Sequence, residues 1–104
     1  MLKFRFYGGN SMYKDSQNSN DHFLSINNFL DCVNAGAEII IEWEKKTYSI
    51  SWYNGKISVA QSYKQETEVL YETADAILNY KLESNKFLKD IITKAKIIDC
   101  TLYV

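Results

Sequence analysis

The chain has 104 residues, and 46% of them are apolar, which fits one globular domain spanning residues 1–104. Twelve basic residues face 13 acidic ones, a balance that argues against a strongly basic nucleic-acid binder and against an acidic disordered tail. No apolar run is long enough for a transmembrane helix, and the alternating first residues are unlike a signal peptide. We therefore expect a cytoplasmic protein without membrane contact.

The first element is predicted to be a strand. Residues 2–7 alternate strictly, with Leu2, Phe4 and Phe6 on one side, and this period of two is typical of an amphipathic strand. The segment 8–21 is rich in glycine, asparagine and serine and offers few apolar groups. That composition predicts a long flexible loop.

A first helix is predicted to begin after Ser25, whose hydroxyl can accept a hydrogen bond from an amide of the first turn. Leu24 and Phe29 have the spacing of a hydrophobic staple. Gly36 marks the end of the helix, where a left-handed residue is favoured. The expected buried stripe of this helix consists of Ile26, Phe29, Leu30 and Val33.

Residues 38–61 predict a meander of three strands. Asn54-Gly55 is a strong signal for a two-residue hairpin turn, because both positions must tolerate a positive φ. The first turn fits either Glu44-Lys45 or Lys45-Lys46, and both registers give the same two faces. The expected apolar face consists of Ile39, Ile41, Trp43, Tyr48, Ile50, Trp52, Ile57 and Val59.

The opposite face of this meander is mostly polar, so one covering layer of helices suffices. The sequence therefore predicts an α+β fold, a two-layer sandwich of an antiparallel β-meander with about three helices packed on one face. The expected polar face consists of Glu38, Ile40, Glu42, Glu44, Thr47, Ser49, Ser51, Tyr53, Lys56, Ser58 and Ala60.

The remainder predicts a polar connection over residues 61–68, a short edge strand over 69–71 and a second helix capped by Thr73. A third helix is indicated by the apolar stripe of Phe87, Leu88, Ile91, Ile92 and Ala95. Residues 97–104 alternate again and predict a last strand. Its expected inward residues are Ile98, Cys100, Leu102 and Val104.

A search for catalytic chemistry gives no candidate. His22 stands beside Asp21, but no serine or cysteine can be placed against this pair, so a surface histidine is expected. One histidine and two distant cysteines do not make an ordinary zinc site. Cys32 and Cys100 are expected to be buried, reduced thiols. We predict a protein that is not an enzyme, with no catalytic residues, no metal and no cofactor.

The polar sheet face suggests binding instead, because exposed tyrosines and small polar residues suit a protein-docking surface. We predict a non-catalytic protein-interaction module, such as an inhibitor, an immunity-type protein or an accessory factor. A homodimer through the outer strands is also possible on this pattern. The candidate binding residues are Glu38, Glu42, Glu44, Ser49, Ser51, Tyr53 and Ser58.

A nucleic-acid-associated regulator is the alternative function. The solvent-exposed side of the third helix would carry three lysines that could contact phosphates: Lys86, Lys89 and Lys94. Only one arginine is present in the chain, so readout of base edges would be poor.

Residues 25–57 carry a recognisable pattern: a short capped helix, then E-I-x-I-E-W-x-x-K-x-Y-S-I, then an N-G-K hairpin. In this chain the pattern is formed by Glu38-Ile39, Glu42-Trp43, Lys46 and Tyr48-Ser49-Ile50. The segment resembles small uncharacterised proteins of Gram-positive bacteria and their mobile elements. That resemblance implies an α+β fold and does not imply a site.

Overall fold

The computed structural model describes residues 3–5 and 21–103. The described residues form an antiparallel sheet and three helices, so the α+β prediction is confirmed. The predicted loop over residues 8–21 lies, apart from Asp21, outside the described residues. The elements are β1 (Lys3–Arg5), α1 (Ile26–Asn34), β2 (Glu38–Trp43), β3 (Lys46–Tyr53), β4 (Lys56–Gln61), β5 (Lys64–Tyr71), α2 (Ala74–Ile77), α3 (Leu88–Ile91) and β6 (Lys96–Tyr103).

The strands follow the order β1-β6-β2-β3-β4-β5, and every neighbouring pair is antiparallel. The first hairpin turns at Glu44-Lys45, with φ of 53° and 68°, which decides between the two turns that the sequence allowed. The second hairpin turns at Asn54-Gly55, with φ of 52° and 80°, as predicted. Positive φ at both central residues gives the turn a twist that matches the strands.

Helix α1 is capped at both ends as its sequence predicts. The Ser25 hydroxyl accepts a hydrogen bond from the amide of Asn28 at 3.0 Å, and Gly36 follows the helix with a φ of +92°. The predicted staple is wrong, because Leu24 is 78% exposed. Phe23 takes that role, with its ring edge-on to Phe29 at 5.2 Å between centroids.

One hydrophobic cluster joins the helices to the apolar face of the sheet. It combines Phe29 and Val33 of α1, Ile77 of α2 and two residues of α3 with alternate strand residues. Burial drives this packing, since each large aliphatic side chain contributes about 1.5–3 kcal/mol. The buried strand residues of the apolar face are Ile39, Ile41, Tyr48, Ile50, Ile57 and Val59.

Both tryptophans depart from their expected burial. Trp52 is 40% exposed, and Trp43 is only partly buried against the cluster. Trp43 is the last residue of β2, and Trp52 is the last but one of β3. The alternation of side chains along a strand therefore determines on which face of the sheet a residue lies, but it does not determine how deeply that residue is buried.

The segment 61–68 is mostly strand, which corrects its prediction as a connection. β5 runs from Lys64 to Tyr71 and pairs with β4, after a two-residue turn at Ser62 and Tyr63. Six of its eight residues are exposed, as its charged sequence requires. Charged side chains are common on edge strands, because they discourage uncontrolled pairing.

The second and third helices are shorter than their apolar stripes indicate, at four residues each. Thr73 caps α2 as predicted, and its hydroxyl accepts from the amide of Ala76 at 3.3 Å. In the third stripe, Leu88, Ile91, Ile92 and Ala95 are buried, but Phe87 is 39% exposed. Phe87 forms a β-bridge with Lys81 instead of continuing a helix.

A bulge changes the inward residues of β6. The pairing of β2 with β6 shifts between Ile40 and Ile41, whose partners are Asp99 and Ile97. The residue between them, Ile98, is 40% exposed, while Ile97 is buried. The extra residue reverses the alternation locally, so the expected inward position of Ile98 is wrong.

Candidate functional site

The predicted binding residues are spread over the polar face and the hairpin ends. Ser49 and Ser51 are half-buried in β3, where Ser49 pairs with Ile40 on one side and with Ala60 on the other. Glu38 is exposed, and Glu42 is half-buried in β2. Glu44 lies in the first turn, and Tyr53 ends β3 with 62% of its surface exposed. Together they border the polar face without converging on one point.

Ser58 differs from its expected position on an open surface. It is 8% exposed, and its hydroxyl donates to Oε2 of Glu68 on β5 at 2.5 Å. The adjacent strand thus covers Ser58, and Glu68 is the carboxylate that lies over this part of the face. Thr101, which is 3% exposed, similarly donates to Oδ1 of Asp99 at 2.9 Å. The polar face is less open to water than its composition indicates.

Two shallow depressions lie on the polar face and share Ser49. One holds about 210 Å³ and runs between β3 and β6, beside Ile40 and Asp99. The other holds about 360 Å³ and runs toward β5, beside Ala60, Tyr63 and Glu68. Small side chains border both hollows: Ser49 and Ser51 of β3 line the smaller one, and Ser49, Ser58 and Ala60 line the larger one.

The outer edge of β5 is one of the two edges of the sheet that the described residues form. Among the described residues, β5 has a neighbouring strand on one side only. The two-residue turn at Asn54-Gly55 makes Tyr53 and Lys56 a hydrogen-bonded pair of the ladder between β3 and β4. Along an antiparallel ladder, such pairs alternate with pairs that are not hydrogen-bonded. In β4, Ile57 and Val59 therefore direct their backbone groups toward β5.

The same alternation sets the backbone direction of the last residues of β5, from Val69 to Tyr71. Val69 and Tyr71 pair with Val59 and Ile57 and direct their N–H and C=O groups toward β4. Leu70, which lies between them and pairs with Ser58, consequently directs its N–H and C=O groups to the free edge. Beyond Val69 the register shifts, because the next pair of this ladder is Gln61 and Lys64. An edge of this kind can pair with a further strand.

Exposed apolar side chains surround this edge. Val69 and Leu70 are 43% and 47% exposed, and Tyr63 in the preceding turn is fully exposed. Tyr63 has a φ of 65°, a conformation that is rare for a bulky residue. These residues are not among the binding residues that the sequence predicted, although the uncharged run at 69–71 and the absence of proline from the chain are signals of an edge that can pair.

A third depression lies on the other side of β5. It holds about 470 Å³, and its lining includes Thr67 and Val69 of β5 together with Tyr80 and Leu82. The Tyr80 hydroxyl donates to the carbonyl of Thr67 at 3.1 Å, and this hydrogen bond holds the segment around Tyr80 against β5. The free edge of β5 is thus flanked by a hollow on each face of the sheet.

The charges along β5 are uneven. Lys64 precedes two carboxylates, Glu66 and Glu68, and Glu72 follows the strand. Glu72 forms an ion pair with Lys56 of β4, whereas Glu66 is exposed at the middle of the edge. The centre of the edge therefore carries negative charge, and its end is apolar.

The side chains considered for catalysis or metal binding do not lie at the edge of β5. His22 and Asp21 form an exposed pair, with Nδ1 and Oδ1 separated by 3.3 Å. Among residues 3–5 and 21–103, no group of three or more histidine, cysteine, aspartate or glutamate side chains could hold a metal ion. In that same part of the chain, no helix is long and apolar enough to cross a membrane.

The three lysines of the alternative function do not share one helix face. Lys86, Lys89 and Lys94 are all exposed, but only Lys89 lies within α3. Its ammonium group lies 5.7 Å from the centroid of the Phe87 ring. Lys86 belongs to the preceding turn, and Lys94 follows the helix.

Comparisons with protein-family models, curated proteins and solved structures found no match to this chain. The resemblance of residues 25–57 to small bacterial proteins stays a prediction. The chemistry of the chain's own residues is what bears on its function.

Proposed function

We propose that this protein is a non-catalytic protein-interaction module that pairs an extended segment of a partner protein with β5. One observation carries the proposal: the outward backbone groups of Leu70 lie among the side chains of Val69 and Leu70, which are 43% and 47% exposed. Main-chain hydrogen bonds to such an edge supply affinity.

The proposal includes a two-layer arrangement in which the helices cover only the apolar face. Support comes from the single buried cluster that joins Phe29, Ile77 and Leu88 of the helices to alternate strand residues. The polar face then stays accessible next to β5, and the shared depressions at Ser49 border the docking strand.

A strand added to β5 would direct its side chains alternately to the two faces of the sheet. On the polar face they meet the hollow beside Glu68, and on the other face they meet the hollow beside Val69. Paired hollows of this kind give a strand-addition site its selectivity.

The charge of the edge favours a basic partner over a second copy. Antiparallel self-pairing centred on Thr67 would set Glu66 opposite Glu68, and like charges directly opposite each other destabilise a strand pair. A partner strand with lysine or arginine at these positions would pair favourably instead. A homodimer through this edge is thus the less favourable arrangement.

A peptide titration tests this proposal. The probes are two short acetylated peptides, one alternating lysine and valine and the other alternating glutamate and valine. We expect the basic peptide to shift the amide resonances of β5 in the ¹⁵N–¹H NMR spectrum and the acidic peptide to leave them unchanged. Equal binding of both peptides, or shifts confined to α3 and its lysines, would contradict the proposal.

A matched pair of variants at Leu70 isolates the contribution of the Leu70 N–H to peptide binding. Leu70→Ala removes the side chain and keeps the N–H, whereas Leu70→Pro also removes the outward N–H that β4 does not use. We expect Leu70→Pro to bind the basic peptide at least several-fold more weakly than Leu70→Ala. Circular dichroism checks that both variants fold, and equal affinities would show that the edge N–H does not take part.

A further inference from the structure

The regular part of the β5 edge is short. The N–H of Gln61 donates to Oγ1 of Thr67 at 2.8 Å, and the same hydroxyl donates to the carbonyl of Lys64 at 2.6 Å. The Thr67 side chain thus takes the place of a backbone partner where the ladder between β4 and β5 shifts its register. Regular pairing begins at Val69, so a partner strand finds an evenly extended backbone only at the end of β5.

Two carboxylates flank Leu70 on the polar face of the sheet. Leu70 lies directly opposite Ser58, and residues that lie opposite each other share one face. The Ser58 hydroxyl donates to Oε2 of Glu68 at 2.5 Å, and Lys56 of β4 forms an ion pair with Glu72. Because Lys56 and Ser58 are two residues apart on one strand, both carboxylates lie on the face that Leu70 occupies.

The two carboxylates differ in how far their charge is balanced. The ammonium group of Lys56 faces Glu72, whereas Glu68 accepts from a neutral hydroxyl. Among residues 3–5 and 21–103, Glu68 forms no ion pair, although Lys64 lines the same hollow. Glu68 therefore leaves a negative charge for a partner to balance, at one end of the pairing surface only.

The other face of this segment is apolar. Val69 and Tyr71 lie opposite Val59 and Ile57, which are fully buried. Val69 is itself 43% exposed, and Tyr71 is half-buried against the hydrophobic cluster. Together with Leu70 on the polar face, these two residues give a partner strand three consecutive apolar contacts.

We infer that the partner segment carries three consecutive apolar residues followed by a lysine or an arginine, and that it lies antiparallel to β5. The central apolar residue lies opposite Leu70, and the basic residue lies beside Glu68. Every neighbouring strand pair of the sheet is antiparallel, and such pairs are slightly more stable per residue than parallel ones. The inference rests on strand addition at β5, the function proposed above.

The order of the partner's residues follows from the unequal carboxylates. In an antiparallel pair, the residue that follows the apolar triplet lies next to Glu68, and the residue that precedes it lies next to Glu72. A basic residue in the preceding position gains less, because Lys56 already balances the charge of Glu72. A cross-strand pair of opposite charges changes the affinity by about two- to fivefold, which a titration can resolve.

Two peptides of equal composition and opposite order test the inference. The first is acetyl-Ser-Val-Leu-Val-Lys-Ser-amide, and the second is acetyl-Ser-Lys-Val-Leu-Val-Ser-amide. Titrations of the full chain, followed by the ¹⁵N–¹H resonances of β5, give the two dissociation constants. We expect the first peptide to bind about two- to fivefold more tightly than the second.

The outcomes separate this inference from the proposed function. If both peptides shift the β5 resonances and bind equally, or if the second binds more tightly, the inferred order is wrong and strand addition at β5 still stands. If neither peptide shifts these resonances, the inference and the proposed function both fail.

Variants of Glu68 assign the preference to its charge. Glu68→Gln keeps an oxygen that can accept from Ser58 and removes the charge, so the two peptides should bind it with nearly equal affinity. Asp31→Lys on α1 is the control for a change of charge elsewhere, and it should keep the preference for the first peptide. A preference that persists in Glu68→Gln, or that Asp31→Lys also abolishes, would show that Glu68 does not select the partner.

A reversal of charge gives the complementary result. Glu68→Lys should bind acetyl-Ser-Val-Leu-Val-Glu-Ser-amide more tightly than the first lysine peptide, and the opposite order would overturn the inference. Circular dichroism checks that the variant folds. If it does not fold, the comparison of the two lysine peptides on Glu68→Gln decides the question.

Discussion

The indole nitrogen of Trp52 donates a hydrogen bond to the backbone carbonyl of Val33 at 2.9 Å, which joins β3 to the last turn of α1. The same carbonyl also accepts from the amide of Gly36 at 2.9 Å. Trp52 thus fastens the helix to the sheet while 40% of its surface stays exposed. The hydrogen bond to Val33 accounts for the partly solvent-exposed position of Trp52.

Removing this contact should lower stability by a small, measurable amount. Trp52→Phe keeps an aromatic ring and loses the N–H, so we expect the free energy of unfolding to fall by about 0.5–1.5 kcal/mol. The lower part of that range is expected, because the Val33 carbonyl keeps its hydrogen bond from Gly36. Urea denaturation measures the change. Tyr53→Phe on the same strand is the control, and an equal loss in both variants would contradict the role of the indole.

The Asn54-Gly55 turn should be sensitive to backbone conformation and insensitive to volume. Gly55 has a φ of +80°, and a Cβ placed there would meet no atom within 4 Å. Gly55→Ala should therefore cost about 1–2 kcal/mol through conformation alone. Gly55→Asn should cost less, because asparagine tolerates the left-handed region. Thermal and urea unfolding of both variants tests this order, and a larger cost for asparagine would contradict it.

The cap of α1 gives a third stability prediction. Ser25→Ala removes the acceptor of the Asn28 amide, so the free energy of unfolding should fall by about 1 kcal/mol. Ser25→Asp should retain most of the stability, since a carboxylate accepts the same hydrogen bond. Equal losses in the two variants, measured by urea denaturation, would show that the cap has no part in stabilising α1.

Stability should fall at high pH. Burial raises the pKa of Tyr48 and of Tyr71 above the ordinary value of 10.0. Below pH 10 both phenols are neutral in the folded and unfolded chains, so their contribution is fully present. Above about pH 10 the unfolded chain ionises first, and stability is lost until the folded-state pKa is passed. The free energy of unfolding measured across this range should decline less steeply for Tyr48→Phe, and an unchanged slope would contradict the role of Tyr48.

Tyr63 should matter for binding and little for folding. It is fully exposed at a φ of 65°, and asparagine accepts that backbone conformation readily. Tyr63→Asn should leave the free energy of unfolding within about 0.5 kcal/mol of the wild type. We expect it to weaken binding of the basic peptide, because the ring borders the hollow beside Glu68. Tyr53→Asn is the matched control, and equal effects of the two substitutions on affinity would argue against a docking site at β5.

The parts of the fold that local patterns control were predictable. Asn54-Gly55, Ser25 and Thr73 act through their own backbone or nearest amides, and each lies where the sequence indicated. The alternation of Ile39, Ile41 and Ile50 predicted the apolar face for the same reason, since the period of a strand is local.

Features that depend on distant pairing were not predictable. The charged sequence of β5 does not resemble a strand, and it forms one only because β4 supplies a ladder. The exposure of Ile98 follows from a bulge against β2, and the cover over Ser58 follows from Glu68 of β5.

Amide hydrogen exchange along β5 tests the central claim most directly, and it needs no partner. If the edge is free, the amides of Val69 and Tyr71 should exchange slowly and that of Leu70 quickly, at low and at high protein concentration. Slow exchange of all three amides in the isolated protein would mean that the edge is already occupied, and it would contradict the account.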